Sequence, residues 1–191
     1  MKAFALFLLL FVSVSIASAQ PVVVIVRHAE KAANGGSDPD LSSAGRARAD
    51  VLVRVLKDSG ITAIFTSEFK RTQETAAPTA ASISVAPTMV AAKDTAALVA
   101  KLHQLSGNAL VVGHGDTIPN IIKALGINST INIPDEDYSE LLIVTLGDKP
   151  QLFRLHYPSQ RTRNRKRGGM PIELKVHPRS REASARQVSD Q

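Results

Sequence analysis

Apolar residues follow two alternating rhythms along this chain. Unbroken, mostly β-branched runs occur at "PVVVIV" (21–26), "ITAIFT" (61–66) and "NALVVG" (108–113), the signature of strands buried on both faces. Between them, apolar residues recur at helical spacing. Ala44, Ala47, Val51, Leu52, Val55 and Leu56 share one face of a helix that starts after Ser42 as N-cap and stops at Gly60. "SEFKRTQETAAPTAAS" (67–82) predicts a second helix, which Pro78 bends or ends. A brief strand is expected near "ISVAP" (83–87). A third helix follows over "DTAALVAKLHQLS" (94–106), with Asp94 as its cap and Ala97, Leu98, Leu102 and Leu105 on one side. "DTIPNIIKALG" (116–126) predicts a short fourth helix with Gly126 past its end. "YSELLIVTL" (138–146) and "QLFRLHY" (151–157), separated by "GDKP", predict a closing strand hairpin.

Strand and helix thus alternate four times before the hairpin. This predicts an α/β three-layer sandwich: a mostly parallel central sheet, helices on both faces and a C-terminal strand hairpin. Such sheets bind ligands beyond the carboxyl ends of their strands. Three strands here end in polar clusters, "RHAE", "SEFKR" and "GHGD", which can meet in one cleft.

The chain ends read differently. Residues 1–19 show an early Lys2, an apolar stretch from Ala3 to Ile16 and the small residues Ala17, Ser18 and Ala19, the pattern of a secretory signal peptide. The apolar run is shorter than the ~20 residues a spanning helix needs. The expectation is therefore a periplasmic or secreted protein with no transmembrane anchor after cleavage. With no cysteine in 191 residues, disulfides, thiolate catalysis and most structural zinc sites are excluded. Residues 20–158 are expected to form one domain. Residues 159–191 read as a disordered tail, polar and basic.

Net charge changes meaning once it is located. The tail carries nine Lys and Arg against three Asp and Glu, whereas residues 20–158 carry thirteen against fourteen. The overall +6 therefore describes the tail and not the domain. "RTRNRKR" (161–167) is expected to hold anionic surfaces weakly and in a salt-sensitive way. No aromatic residue lies within 159–191, so base stacking is unavailable and no specific nucleic acid is expected.

Charge at the end of a buried strand is costly unless it meets a partner. Arg27 and Arg71 can present planar guanidinium forks to phosphate oxygens. A helix starting at Asp116 or Thr117 adds free N–H groups. The partner these residues suit is a small phosphorylated molecule. Beside it, His28 and His114 each have two available roles, cation or nucleophile attacking phosphorus through a neutral ring nitrogen.

At these residues the sequence resembles the histidine phosphatase superfamily, which includes cofactor-dependent phosphoglycerate mutases and compact phosphohistidine phosphatases. "RHAEKAAN" (27–34) is similar to R-H-G-E-x-x-x-N, and "LSSAGRARA" (41–49) to L-[ST]-x-x-G-x-x-Q-A. "TSEFKRTQETA" (66–76) is similar to S-x-x-x-R-x-x-x-T-A, and "VVGHGDTIPNII" (111–122) to V-x-H-G-x-x-x-x-x-[IL]. The four blocks stand in the family's order and span roughly residues 23–157. The resemblance implies His28 as the nucleophile that becomes phosphohistidine, with Arg27, Arg71 and His114 as the positive walls of a phosphate pocket and Asn34 as a further donor to the same oxygens. It implies no metal and no cofactor.

Two departures bear on the chemistry. Ala29 stands where the family has glycine, and Asp116 where relatives often have asparagine. The proton donor to the leaving group has three candidates. Asp94 and Glu74 lie in the interval where the mutase-like branch keeps its acid, and Asp116, close after His114, is similar to the phytase-like branch. Asp94 and Asp116 stand level, with Glu74 behind them. The resulting expectation is an exported, metal-independent phosphomonoesterase of the histidine acid type. The alternatives are a non-catalytic phosphate- or phosphoprotein-binding module of the same fold, or a mutase-like phosphotransferase.

Overall fold

The computed structural model describes residues 20–34 and 36–158. The signal-peptide segment and the basic tail read from the sequence lie outside the described residues. Among those described, no helix is long and apolar enough to cross a membrane.

Six strands and four helices follow one another as β1 (Val22–Arg27), α1 (Ser43–Leu56), β2 (Ile61–Thr66), α2 (Lys70–Ile83), β3 (Thr88–Met89), α3 (Thr95–His103), β4 (Asn108–Gly113), α4 (Ile118–Ala124), β5 (Glu140–Thr145) and β6 (Gln151–His156). They build one sheet in the order β3-β2-β4-β1-β5-β6. The first four in that order run parallel, and the β5–β6 hairpin adds on antiparallel through β5 against β1. The sheet is therefore mixed, with the parallel part and the terminal hairpin expected from the sequence.

Period-two alternation on the central strands splits the core into two layers. Val23 and Ile25 of β1, with Ala109 and Val111 of β4, pack on one side against Leu98 and Leu102 of α3 and Ile118, Ile121 and Ile122 of α4. Val24 and Val26, with Leu110 and Val112, pack on the other side against Val51, Leu52 and Leu56 of α1 and Ala76 and Ala80 of α2. This is the three-layer arrangement, and it explains why Val23–Val26 of β1 and Ala109–Val112 of β4 are apolar without a break.

Three local readings change. Pro78 does not end α2, which continues to Ile83 and closes at Ser84 with φ 57°. The buried face on both sides of the proline, Thr75, Ala76, Thr79 and Ala80, keeps the segment helical despite the lost N–H. The helix thereby takes up the start of the expected strand at 83–87, and the strand forms later, at Thr88–Met89. On α1, Val55 is 45% exposed, whereas Arg48 is buried with Gly45, Ala49, Leu52 and Leu56. An arginine displaces an alkyl side chain from the buried stripe because it has a partner there, described below.

Candidate active site

The site follows from one register. β1 and β4 run parallel with Arg27 opposite Gly113, so the next residues, His28 and His114, emerge side by side at the carboxyl end of the sheet. Their ring centroids are 5.3 Å apart. The His28 N–H also bonds to the Gly113 carbonyl at 2.9 Å, carrying the pairing one residue past the strand.

His28 is 3% exposed. Its Nδ1 lies 2.9 Å from the Ala29 carbonyl oxygen. A carbonyl can only accept, so Nδ1 carries the proton. Nε2 of the neutral ring then holds an open lone pair. His114 is oriented by a different device: its Nε2 meets Ser67 Oγ at 2.9 Å, and that hydroxyl is itself tied to Thr72 Oγ1 at 2.9 Å. Phe69 packs edge-on against the His114 ring at 5.2 Å.

Two arginines flank the rings. Arg27 Nη1 donates to the carbonyls of Pro134, Asp135 and Asp137 at 2.8, 2.9 and 3.3 Å, which anchors the loop between α4 and β5 over the sheet end. Tyr138 of that loop lies 4.6 Å from the Arg27 guanidinium and 6.0 Å from the His28 ring. Arg71 stacks on Phe69 at 4.2 Å and approaches Asp38 at 3.6 Å. For both arginines, Nε is buried with no acceptor among the described residues. A buried guanidinium N–H left unbonded is costly, and an oxyanion is the acceptor that would relieve two at once. Gly115 lies against Arg27, where even a Cβ would make only ordinary contact, 3.5 Å from the guanidinium carbon.

Electrostatics agree with this geometry. Burial lowers the His28 pKa to about 4, helped by the positive fields of His114, Arg27 and Arg71 and opposed by the Ala29 carbonyl. The ring is therefore neutral at pH 7. Burial also lowers His114, as does Arg71, while the Asp116 and Glu68 carboxylates oppose the shift. Glu68 itself is lowered: burial, the largest single influence, would raise it, but the Ala92 N–H, its own N–H and the charges of His114 and Arg71 together outweigh it.

The His28 shift has a consequence for stability. The unfolded chain protonates this ring near the ordinary value of 6.5 and the folded chain near 4, so between these pH values the unfolded state binds more protons. Stability is fully present above pH 6.5 and falls as pH drops toward 4, by about 3 kcal/mol from this residue. Urea denaturation at pH 7 and pH 4 should show the acid loss reduced by about that amount in His28→Gln. An equal loss in both proteins would contradict it.

The remaining candidates are placed less centrally. Asp94 caps α3, with Oδ1 accepting the Ala97 N–H at 2.9 Å. It also lines a narrow pocket of about 20 Å³ that opens beside His114, together with Ser67, Ala92, Leu98 and Thr117. Asp116 is exposed in the turn before α4 and acts on His114 through its charge. Glu74 accepts the Leu41 N–H at 2.7 Å, a tie between α2 and the loop before α1. Asn34 lies exposed in the turn after β1. Among the described residues, no group of three or more His, Cys, Asp or Glu stands in metal-binding geometry.

Sequence reasoning missed Ser67, Thr75 and Tyr138. Ser67 and Thr75 stand inside the "TSEFKRTQETA" block, so their signal was present without a role attached. Thr75 Oγ1 donates to the Arg71 carbonyl at 2.7 Å and accepts the Ala29 N–H at 2.9 Å, joining α2 to the segment after His28 through one hydroxyl. Tyr138, expected at the head of the strand over 138–146, lies instead in the loop before β5, and nothing in the sequence marked it as a site residue.

The description "Histidine phosphatase superfamily (branch 1)" matches residues 23–93, which include the first three sequence blocks. No curated protein matches the chain. Solved structures match its fold. The alpha-ribazole phosphatase from Shigella flexneri superposes with a TM-score of 0.60 at 15% identity, over 71% of this chain and 96% of its own. The mycobacterial glucosyl-3-phosphoglycerate phosphatase gives 0.57 at 14% identity, over 73% and 99%. The protein histidine phosphatase SixA complexed with tungstate gives 0.59 at 19% identity, over 71% and 96%. At these identities the likeness is one of fold.

Proposed function

We propose, from the premise that residues 23–93 match the histidine phosphatase superfamily and the described domain has the fold of its phosphatases, that this chain hydrolyses phosphomonoesters through a phosphohistidine on His28. The observation that carries the reading is the pair of buried, unpartnered Nε donors of Arg27 and Arg71 beside a neutral histidine whose Nε2 is free to attack. One structural relative holds tungstate, an oxyanion that such donors suit.

In the first step the Nε2 lone pair of His28 attacks phosphorus and the ester oxygen leaves with the bond electrons, taking a proton. Water then attacks phosphohistidine, returning neutral His28 and inorganic phosphate. Arg27 and Arg71 stabilise charge on the equatorial oxygens. His114, held at Nε2 by Ser67, has Nδ1 left to donate to the anion once protonated, and a bound dianion raises its pKa toward that state. Asp94 and Asp116 are the candidates for the leaving-group proton. Asp94 borders the pocket beside His114 but is also engaged as a helix cap; Asp116 is unengaged but exposed. Asn34 belongs to the proposal as a donor to the phosphate oxygens, reached by movement of its exposed turn.

Positive charge from two guanidinium groups and an imidazolium supplies what divalent metals supply elsewhere, so the proposed reaction is metal-independent. The proposal includes export, on the strength of the signal-like residues 1–19 and the absence of cysteine; the exported protein should begin at Gln20 by mass spectrometry. A phosphoester panel assayed across pH, with and without a chelator, tests the reaction. Turnover unaffected by chelator is the expected result. Phosphate-dependent protection against heating with no turnover on any ester would favour the binding-module alternative instead.

A further inference from the structure

We infer that Glu30 and Arg48 form a positioning pair that sets the orientation of the His28 ring, a role that rests on the proposed reading of His28 as nucleophile. Arg48 grips Glu30 with two parallel bonds, Nε to Oε2 at 2.9 Å and Nη2 to Oε1 at 2.7 Å. Its Nη1 donates to the Tyr157 carbonyl at 3.3 Å, and the guanidinium lies 5.5 Å from the Tyr157 ring centroid. Arg48 is 7% exposed. Burial opposes both charges, and each partner outweighs it: Glu30 is held below its ordinary carboxyl pKa and Arg48 above its ordinary value.

A buried ion pair is weak evidence of a stabilising role, because apolar side chains of similar volume often serve as well. Here the pair also interrupts an otherwise apolar stripe on α1. Its location explains it better than stability does. Glu30 follows His28 by two residues, and the Ala29 carbonyl that fixes the His28 tautomer belongs to the peptide joining Ala29 to Glu30. Turning that peptide turns the acceptor of the ring proton. Three successive residues are held by three different elements. The His28 N–H is held by β4 through Gly113, the Ala29 N–H by α2 through Thr75, and Glu30 by α1.

The hold on Glu30 is both main-chain and side-chain. Its carbonyl accepts the N–H of Ser42, the α1 N-cap, at 2.8 Å, and its carboxylate meets Arg48, six residues further along the chain in α1. Gly45, midway between them, packs so close that a Cβ would fall 2.3 Å from the Glu30 carbonyl oxygen. The pair also neutralises a carboxylate that would otherwise stand near a pocket built for a dianion. Arg48 occupies the position where the L-[ST]-x-x-G-x-x-Q-A pattern has glutamine.

The test uses the full chain and three variants: Arg48→Met, Glu30→Gln and the double Glu30→Gln/Arg48→Gln, which keeps two neutral hydrogen-bonding side chains. A misplaced nucleophile costs about 10- to 100-fold in rate, so kcat for p-nitrophenyl phosphate should fall by that factor in Arg48→Met. Competitive inhibition by inorganic phosphate should stay within about threefold, since the arginines that hold it are untouched. The double variant should recover most of the lost kcat. Ring ¹⁵N shifts should show His28 as the Nδ1–H tautomer in the wild type and a tautomer mixture in Arg48→Met; if that variant does not fold, Glu30→Gln is compared instead. Wild-type kcat and an unchanged His28 ring would overturn the proposal, as would parallel loss of kcat, phosphate inhibition and melting temperature. If the wild type turns over no phosphoester, the phosphatase reading fails, and the ring shifts still decide whether the pair positions His28.

Discussion

Replacing His28 with alanine is expected to abolish hydrolysis of p-nitrophenyl phosphate, lowering kcat by at least about 10⁴-fold, because it removes the atom that forms the covalent bond. Neighbouring groups cannot take over the role. His114 commits Nε2 to Ser67, and among the described residues no third histidine stands in the cluster. The variant should still bind tungstate, since both guanidinium groups and His114 remain, and alanine vacates space without adding charge. Rapid acid-free quenching of the wild type with a labelled phosphoester should trap a protein-bound phosphoryl group that is stable in base and labile in acid, and His28→Ala should trap none. Equal hydrolysis by the two proteins would remove His28 from the mechanism.

The second large effect separates the two arginines. Arg71→Lys should lower kcat/KM by about 10²–10³-fold, as loss of a preorganised donor to developing charge commonly does, with stability changed by no more than about 1 kcal/mol. Lysine keeps the charge but has no Nε donor in a planar fork, and the interactions given up are a stack on Phe69 and a 3.6 Å approach to Asp38. Arg27→Lys should lower turnover similarly and in addition destabilise the fold by about 1–2 kcal/mol, because part-buried loop carbonyls lose a shared charged donor. Three carbonyls of residues 134–137 converge on one guanidinium nitrogen, and a single ammonium at the end of a shorter stem cannot reach them all. Thermal melts and kinetics of the two variants check both statements. Equal stability of the two would show that Arg27 does not anchor the loop.

The contrast between these arginines was invisible in the sequence. Both read as phosphate forks, each beside a motif, and nothing local marks Arg27 as the anchor of a loop more than a hundred residues later. Tyr138, which completes that wall, stands at the edge of a strand-like stretch that marks β5 and not the site, because its place beside Arg27 and His28 comes from how the loop before β5 is folded. The sequence assigns Glu30 no chemistry because its partner lies on α1, where Arg48 breaks the apolar stripe and only the docked helix shows it buried. Val55 shows the converse error, an apolar residue at helical spacing that the docked helix turns outward.

Other features were legible because their causes are local. The alternation of β-branched runs with amphipathic stretches determined a parallel-containing sheet covered on both faces, since backbone hydrogen bonds and apolar burial leave a chain with those rhythms few other arrangements. The order of the polar strand ends determined that two arginines and two histidines would share a cleft. The tertiary structure alone decided which nitrogen of each histidine is free, which guanidinium N–H groups lack acceptors, and how three adjacent backbone peptides are each held by a different element. Those properties depend on distances of a few tenths of an ångström between segments far apart in the chain, and such distances come from packing, which local sequence pattern does not encode.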